Sequence, residues 1–169
     1  MPRTVNAFCP TGKGGGIDPT CSPSGKTSLA RPPIILGDIP VRQEAFSAYL
    51  EANGQEWKAA PLPKGVRMGV PKECFKNATG LVLKDSSLSY VEGVAYTKKL
   101  GDLGFLHAWA VRKDGTVVDN TWRDPENSRY FGVKYDQKKY LAHLWKTKMY
   151  GIFGGDSQTA RQVLERGGL

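Results

Sequence analysis

Three runs rich in aromatic and β-branched residues, 90–96, 105–112 and 116–122, are separated only by Thr97 with KKLGDLG and by KDG. Runs of this composition bounded by glycine turns read as strands, and links this short make sequential neighbours antiparallel. A chain carrying this stretch is thereby committed to a sheet meander. The second link also bears on side-chain direction. A two-residue turn at Asp114-Gly115 would set Asp119 opposite Ala110, on the sheet face away from His107. A three-residue turn, Lys113-Asp114-Gly115 with the glycine left-handed, sets Asp119 opposite Trp109 and diagonal to His107 on one face. The diagonal is about 7 to 8 Å between backbones, within reach of a carboxylate and an imidazole. Glycine in the third position suits the second arrangement.

Around the meander the periodicity turns helical. Ala45, Phe46, Tyr49 and Leu50 recur at helical spacing until Asn53-Gly54 stops the run, with Asp38 a possible cap and Pro40 suited to a first turn. Pro61 and Pro63 mark an extended link, and Pro71 opens a second helix through PKECFKNATGLVLK, with Cys74 in its first turn. The piece 130–133 adds an edge strand. Asp136 caps a helix carrying Tyr140, Leu141, Leu144 and Trp145, and Asp156 or Ser157 opens a terminal helix ending at Gly167-Gly168. The expected class is α+β: an antiparallel sheet of three to four or more strands packed against helices.

At 169 residues, 40% hydrophobic and 24% charged, the chain has the size and balance of one ordinary globular domain. No apolar run reaches the roughly 20 residues needed to span a bilayer, and the first seven residues lack the apolar region of a secretory signal. Three cysteines, Cys9, Cys21 and Cys74, are too few and too odd in number for a disulfide framework, so a cytoplasmic, reducing location is expected, with no membrane partner. The net charge of +8 makes contact with a polyanion possible without any motif.

Residues 1–37 form an irregular arm rich in glycine, proline, serine and threonine. Gly25-Lys26-Thr27 matches the end of a phosphate loop, but Thr20 stands where the first glycine belongs, no strand precedes it and ARPP follows where a helix must start. Cys9 and Cys21 supply only two of the roughly four ligands a zinc site needs. No metal or organic cofactor is expected. The stretch FCPTGKGGGIDPTCSPSGKTS resembles Cys-Gly-rich pieces of phage-encoded proteins, which suggests a viral origin and a host-cytoplasmic setting.

Cys74, His107 and Asp119 supply the residue types of a thiol nucleophile, its base and the carboxylate that orients the base. A cysteine in a helix's first turn feels unpaired N–H groups and the positive end of the dipole, which favours thiolate, and the same N–H groups can serve an oxyanion. Asn77 shares the face of Cys74 one turn on, where it would either hydrogen-bond a substrate carbonyl or serve as a cap-like or core-bonded asparagine. Tyr90 and Glu92 alternate on the preceding strand, where Glu92 would bind a substrate amine or cation if that face lines the cleft. Trp109 and Trp122, like Trp145, are expected in the core, or as walls of a cleft beside the thiolate. His143, on the last basic helix, is expected to face solvent or to pack.

A cysteine opening a helix, then HAW on a strand, then D-x-T on the next strand is similar to the core of the transglutaminase-like superfamily, within the wider papain-like group of cysteine enzymes. The likeness spans roughly 71–122. It implies a catalytic domain over 38–155, followed by a helix at 156–169 packed on the domain or trailing it, and a Cys74-His107-Asp119 triad. It further implies an acyl-thioenzyme that passes an amide, isopeptide or ester acyl group of a protein, peptide or small molecule to water or an amine. Protease, amidase, transglutaminase and deamidase remain open. The competing class is a basic, non-catalytic binding protein, associated with nucleic acid or a virion, whose cysteine is structural.

Overall fold

The computed structural model describes residues 34–35, 43–97, 99, 103–155 and 157–169, with only the backbone at 34–35. The expected Cys9/Cys21 arm and the cap at Asp38 lie outside the described residues. In chain order the elements are β1 (Ile34–Ile35), α1 (Gln43–Asn53), β2 (Gln55–Trp57), α2 (Cys74–Lys84), β3 (Ser89–Thr97), β4 (Gly104–Val111), β5 (Val117–Val118), β6 (Ser128–Lys134), α3 (Gln137–Thr147) and α4 (Ser157–Arg166). The protein is α+β. Five of the strands make an antiparallel sheet, and β1 adds a two-residue parallel pairing to β4. Among the described residues no helix is long and apolar enough to cross a membrane.

The strand order is β1-β4-β3-β6-β2, with β5 on β4. Strand β6 therefore lies inside the sheet, between β3 and β2, and corrects the expectation of an edge strand at 130–133. The reason is β2, whose three residues pair with β6 from Gln55↔Gly132 to Trp57↔Tyr130. The Trp57 indole N–H reinforces that edge by donating to Gly132 O at 3.0 Å. Three residues are too few to show a period of two, so this strand is silent in the sequence.

Alternation along β3 and β4 produces two cores, one on each sheet face. Tyr90, Val94, Ala108 and Ala110 face the helices and join Phe46 of α1, Val82 of α2, Tyr140 of α3 and Ala160 and Val163 of α4. Val91, Ala95, Trp109, Val111 and Tyr130 make the second core with Trp57 and Val117. On that second face Gly93 of β3 stands between His107 and Gly132. A Cβ at Gly93 would collide with Phe131 O and Gly132 Cα, and one at Gly132 would lie 2.8 Å from Trp109 Cη2. The paired glycines are thus a floor on which the Trp109 ring lies close to the backbone.

Two local expectations change at the ends of elements. Strand β5 stops after two residues instead of running to 122, because Asp119 Oδ1 accepts from Thr121 N at 2.8 Å and bends the chain off the sheet. Helix α2 begins at Cys74, not at Pro71, because Lys72 takes a left-handed φ of 69° that no helix accommodates. Elsewhere Asp136 caps α3 as expected, accepting from Lys139 N at 3.0 Å. Trp145 leaves the expected core: it is 68% exposed, with the Lys148 ammonium 4.7 Å from its ring centre.

Candidate active site

The β4–β5 turn decides whether His107 and Asp119 can meet. Arg112 N donates to Thr116 O at 2.9 Å, and Gly115, at φ 81°, donates to Arg112 O at 3.0 Å. This is the three-residue loop with a left-handed glycine, and the pairs Ala110↔Val118 and Val111↔Val117 follow from it. Carried one residue further, the register sets Asp119 opposite Trp109 and diagonal to His107. His107 Nε2 and Asp119 Oδ2 are 2.8 Å apart, with both side chains buried.

Cys74 is brought to the same place by tethers at the start of α2. Gly69 N donates to Asn120 O at 2.7 Å, and Asn77 Nδ2 to Thr121 Oγ1 at 3.0 Å, so the segment after β5 holds the helix start against the turn that carries Asp119. Cys74 and His107 line the wall of one cavity, and the nearness of the thiol is one of the causes that raise the imidazole pKa. Cys74 is a free thiol, 7% exposed. Two departures from local preference flank it. Lys72 is a non-glycine residue in the left-handed region, and Glu73, a poor cap by type, holds the N-cap position without a side-chain bond to the helix.

Further groups fix the pair. The Tyr130 hydroxyl donates to Asp119 Oδ2 at 2.9 Å, and the Trp122 ring stacks on His107 with centroids 4.5 Å apart. Tyr130 escaped the sequence reading because its approach needs β6 next to β3, a pairing no local signal encodes. Burial pulls the His107 pKa down, but the Asp119 charge and hydrogen bond, with the hydrogen bond and charge of Cys74, push it up to about 10. Burial pulls Asp119 upward, yet the His107 charge and the bonds from His107, Thr121 and Tyr130 hold its carboxyl below the usual range. The imidazole is accordingly held as imidazolium.

A pH dependence of stability follows. His107 has a raised folded pKa, so its contribution is complete below the ordinary 6.5 and lost as pH rises through about 10. The depressed Asp119 contributes fully above 3.8 and loses its contribution as pH falls through its folded value. The pair is therefore most stabilising between these limits. Urea midpoints measured from pH 4 to 10 should fall between 6.5 and 10 in the wild type and fall less steeply in His107→Gln. Equal slopes would mean that His107 is neutral in the folded state.

A cavity of about 700 Å³ opens on this cluster, its walls including Cys74, His107, Pro71, Phe105, Leu106 and Trp122, with Lys72, Lys99, Arg123 and Asp124 among its charged residues. Of the expected substrate contacts, Trp122 alone lines it. Asn77 is committed elsewhere: Nδ2 donates to Val70 O at 2.7 Å and Oδ1 accepts from Val70 N at 3.1 Å, which braces the segment leading into Cys74. Trp109 is buried in the second core. Tyr90 and Glu92 face the other core, because the register Gly93↔His107 gives the His107 face to Gly93 and the opposite face to its neighbours. There Tyr90 stacks on Tyr140 at 3.8 Å between centroids. Glu92 accepts from the Tyr90 hydroxyl at 3.0 Å and from the backbone N–H groups of Ile152, Phe153 and Gly154 at 2.8, 2.6 and 3.1 Å. His143 packs, its Nε2 3.2 Å from Gly151 O. Among the described residues no group of three or more His, Cys, Asp and Glu is placed to hold a metal ion.

Compared with models of known families, with curated proteins and with solved structures, the chain finds no match.

Proposed function

We propose that the protein is a cysteine-dependent hydrolase or acyltransferase with a transglutaminase-like core, acting on an amide, isopeptide or ester bond. The observation that carries this reading is that one cavity wall brings Cys74 together with His107, whose ring is held by Asp119 at 2.8 Å. An imidazole beside a thiol can serve as its base, and the carboxylate on Nε2 fixes the ring's orientation and charge. Cys74 Sγ attacks the acyl carbon, the bond from that carbon to nitrogen or oxygen breaks, and His107 gives its proton to the departing atom. Water or an amine then attacks the thioester, His107 takes its proton, and the thiolate leaves. The N–H groups at the start of α2, which no side chain caps, are suited to the oxyanion of each step.

The test is iodoacetamide labelling of Cys74 near neutral pH, read by mass spectrometry. Labelling is expected to be fast in the wild type and at least about tenfold slower in His107→Ala, since His107 is the group proposed to activate the thiol. Slow labelling that ignores the substitution would make Cys74 a structural cysteine and favour the basic binding protein instead.

A further inference from the structure

The cavity beside Cys74 has a composition that restricts what can enter it. Its walls bring together Pro71, Phe105, Leu106 and Trp122, an apolar surface suited to an aliphatic chain or a ring. Its charged residues are mainly cationic. Lys99 is engaged by Asp124 in an ion pair. Lys72 and Arg123 are exposed, and among the described residues no ion pair engages either of them. Lys72 also stands where glycine would adopt the left-handed backbone at lower cost, so a strained position carries a cation onto the cavity wall two residues before Cys74.

We propose that the site takes an acyl donor combining an apolar segment with an anionic group, the apolar part lying against Phe105, Leu106 and Trp122 and the anion meeting Lys72 and Arg123. This inference rests on Cys74 being the nucleophile. A carboxylate and a phosphate share the required chemistry. The apolar walls favour association of the hydrocarbon, and two cations that no described residue ion-pairs, at the edge of a low-dielectric surface, attract the anion more strongly than they would in open water. The net charge of +8 adds a long-range attraction of the same sign.

The experiment measures acylation of Cys74 in the full chain by three activated esters: p-nitrophenyl acetate, p-nitrophenyl octanoate and mono-p-nitrophenyl suberate. Each rate is divided by that with free N-acetylcysteine. In each reaction the Sγ–acyl bond forms as the ester C–O bond breaks and p-nitrophenolate leaves. Octanoate is expected to exceed acetate, and suberate to exceed octanoate by about tenfold, the factor that corresponds to one well-placed charge interaction of about 1.4 kcal/mol. The double variant Lys72→Gln/Arg123→Gln should bring the suberate to octanoate ratio to about one, whereas Lys146→Gln/Lys148→Gln, which lowers the net charge equally, should leave it unchanged. A phosphate-bearing ester of matched length, run beside suberate, tells which anion is preferred. Equal rates for octanoate and suberate, or a ratio that responds equally to both double variants, would overturn the proposal. His107-dependent iodoacetamide labelling without an ester preference would sink this inference alone, while labelling indifferent to His107 would remove the nucleophile and both readings with it.

Discussion

Replacing Asp119 by alanine is expected to cost the fold about 3–5 kcal/mol, the penalty of breaking a buried ion pair by removing one partner. The carboxylate is 1% exposed and serves three donors: His107, the Tyr130 hydroxyl and Thr121 N–H. Its removal leaves a buried imidazolium without a counter-charge and a tyrosine hydroxyl and a backbone N–H without their acceptor. Asp119→Asn separates the two roles of the group. The amide retains the size and an oxygen for Thr121, so the stability loss should be smaller. It lacks the charge that holds His107 as imidazolium, so iodoacetamide labelling of Cys74 should still slow by at least about tenfold. Urea unfolding and labelling rates, measured on both variants, decide the matter. Labelling of Asp119→Asn at the wild-type rate would mean that the carboxylate does not support the imidazolium.

Glu92 should produce an effect of similar size by a different route, and without the loss of thiol reactivity. It is fully buried, and burial pushes its carboxyl pKa up against the pull of the three backbone N–H groups and the Tyr90 hydroxyl. Each oxygen accepts from at least one backbone N–H: Oε2 from Ile152, Oε1 from Phe153 and Gly154. Glu92→Gln therefore has no orientation in which its NH2 avoids a backbone N–H, and a cost of about 3 kcal/mol or more is expected. The 152–154 turn that Glu92 holds presents Gly154 to the Phe75 ring, so closely that any Cβ there would strike it. Phe75 follows Cys74 directly, which gives Glu92 an architectural link to the site. The expected result is a lower urea midpoint, with Cys74 labelling in the fully folded range within about threefold of wild type, as for a residue outside the reacting group. Wild-type stability combined with a large loss of reactivity would instead return Glu92 to the cleft as a ligand-binding group.

The contrast between Asp119 and Glu92 measures how much of the site is legible without the fold. Both are carboxylates one strand away from His107, and the reading of each depends on strand register. For Asp119 the connection is three residues long and ends in glycine. Few backbone conformations close such a loop, so turn chemistry alone ranks the two possible registers and sends Asp119 to the His107 face. For Glu92 the connection between β3 and β4 is longer and carries no comparable restriction. Sliding β3 by one residue exchanges the faces of all its side chains, and only packing against both cores selects Gly93 as the residue beside His107.

The same distinction holds for the remaining elements. Helical periodicity, Asn53-Gly54 and the Asp136 cap locate α1 and α3 from short-range patterns, since capping and amphipathic burial act within a few residues. The left-handed Lys72 and the interior position of β6 arise from contacts between segments far apart in the chain, and so does the bond from Tyr130 to Asp119. Local stereochemistry in the sequence was therefore enough to place a histidine and a carboxylate on one sheet face. Only tertiary packing decided that the start of α2 comes to the cavity beside them, which polar residues serve the scaffold, and which side chains wall the cleft. The physical reason is range: turns and caps are settled by a few dihedral angles, whereas long-distance register is settled by burying two sheet faces at once.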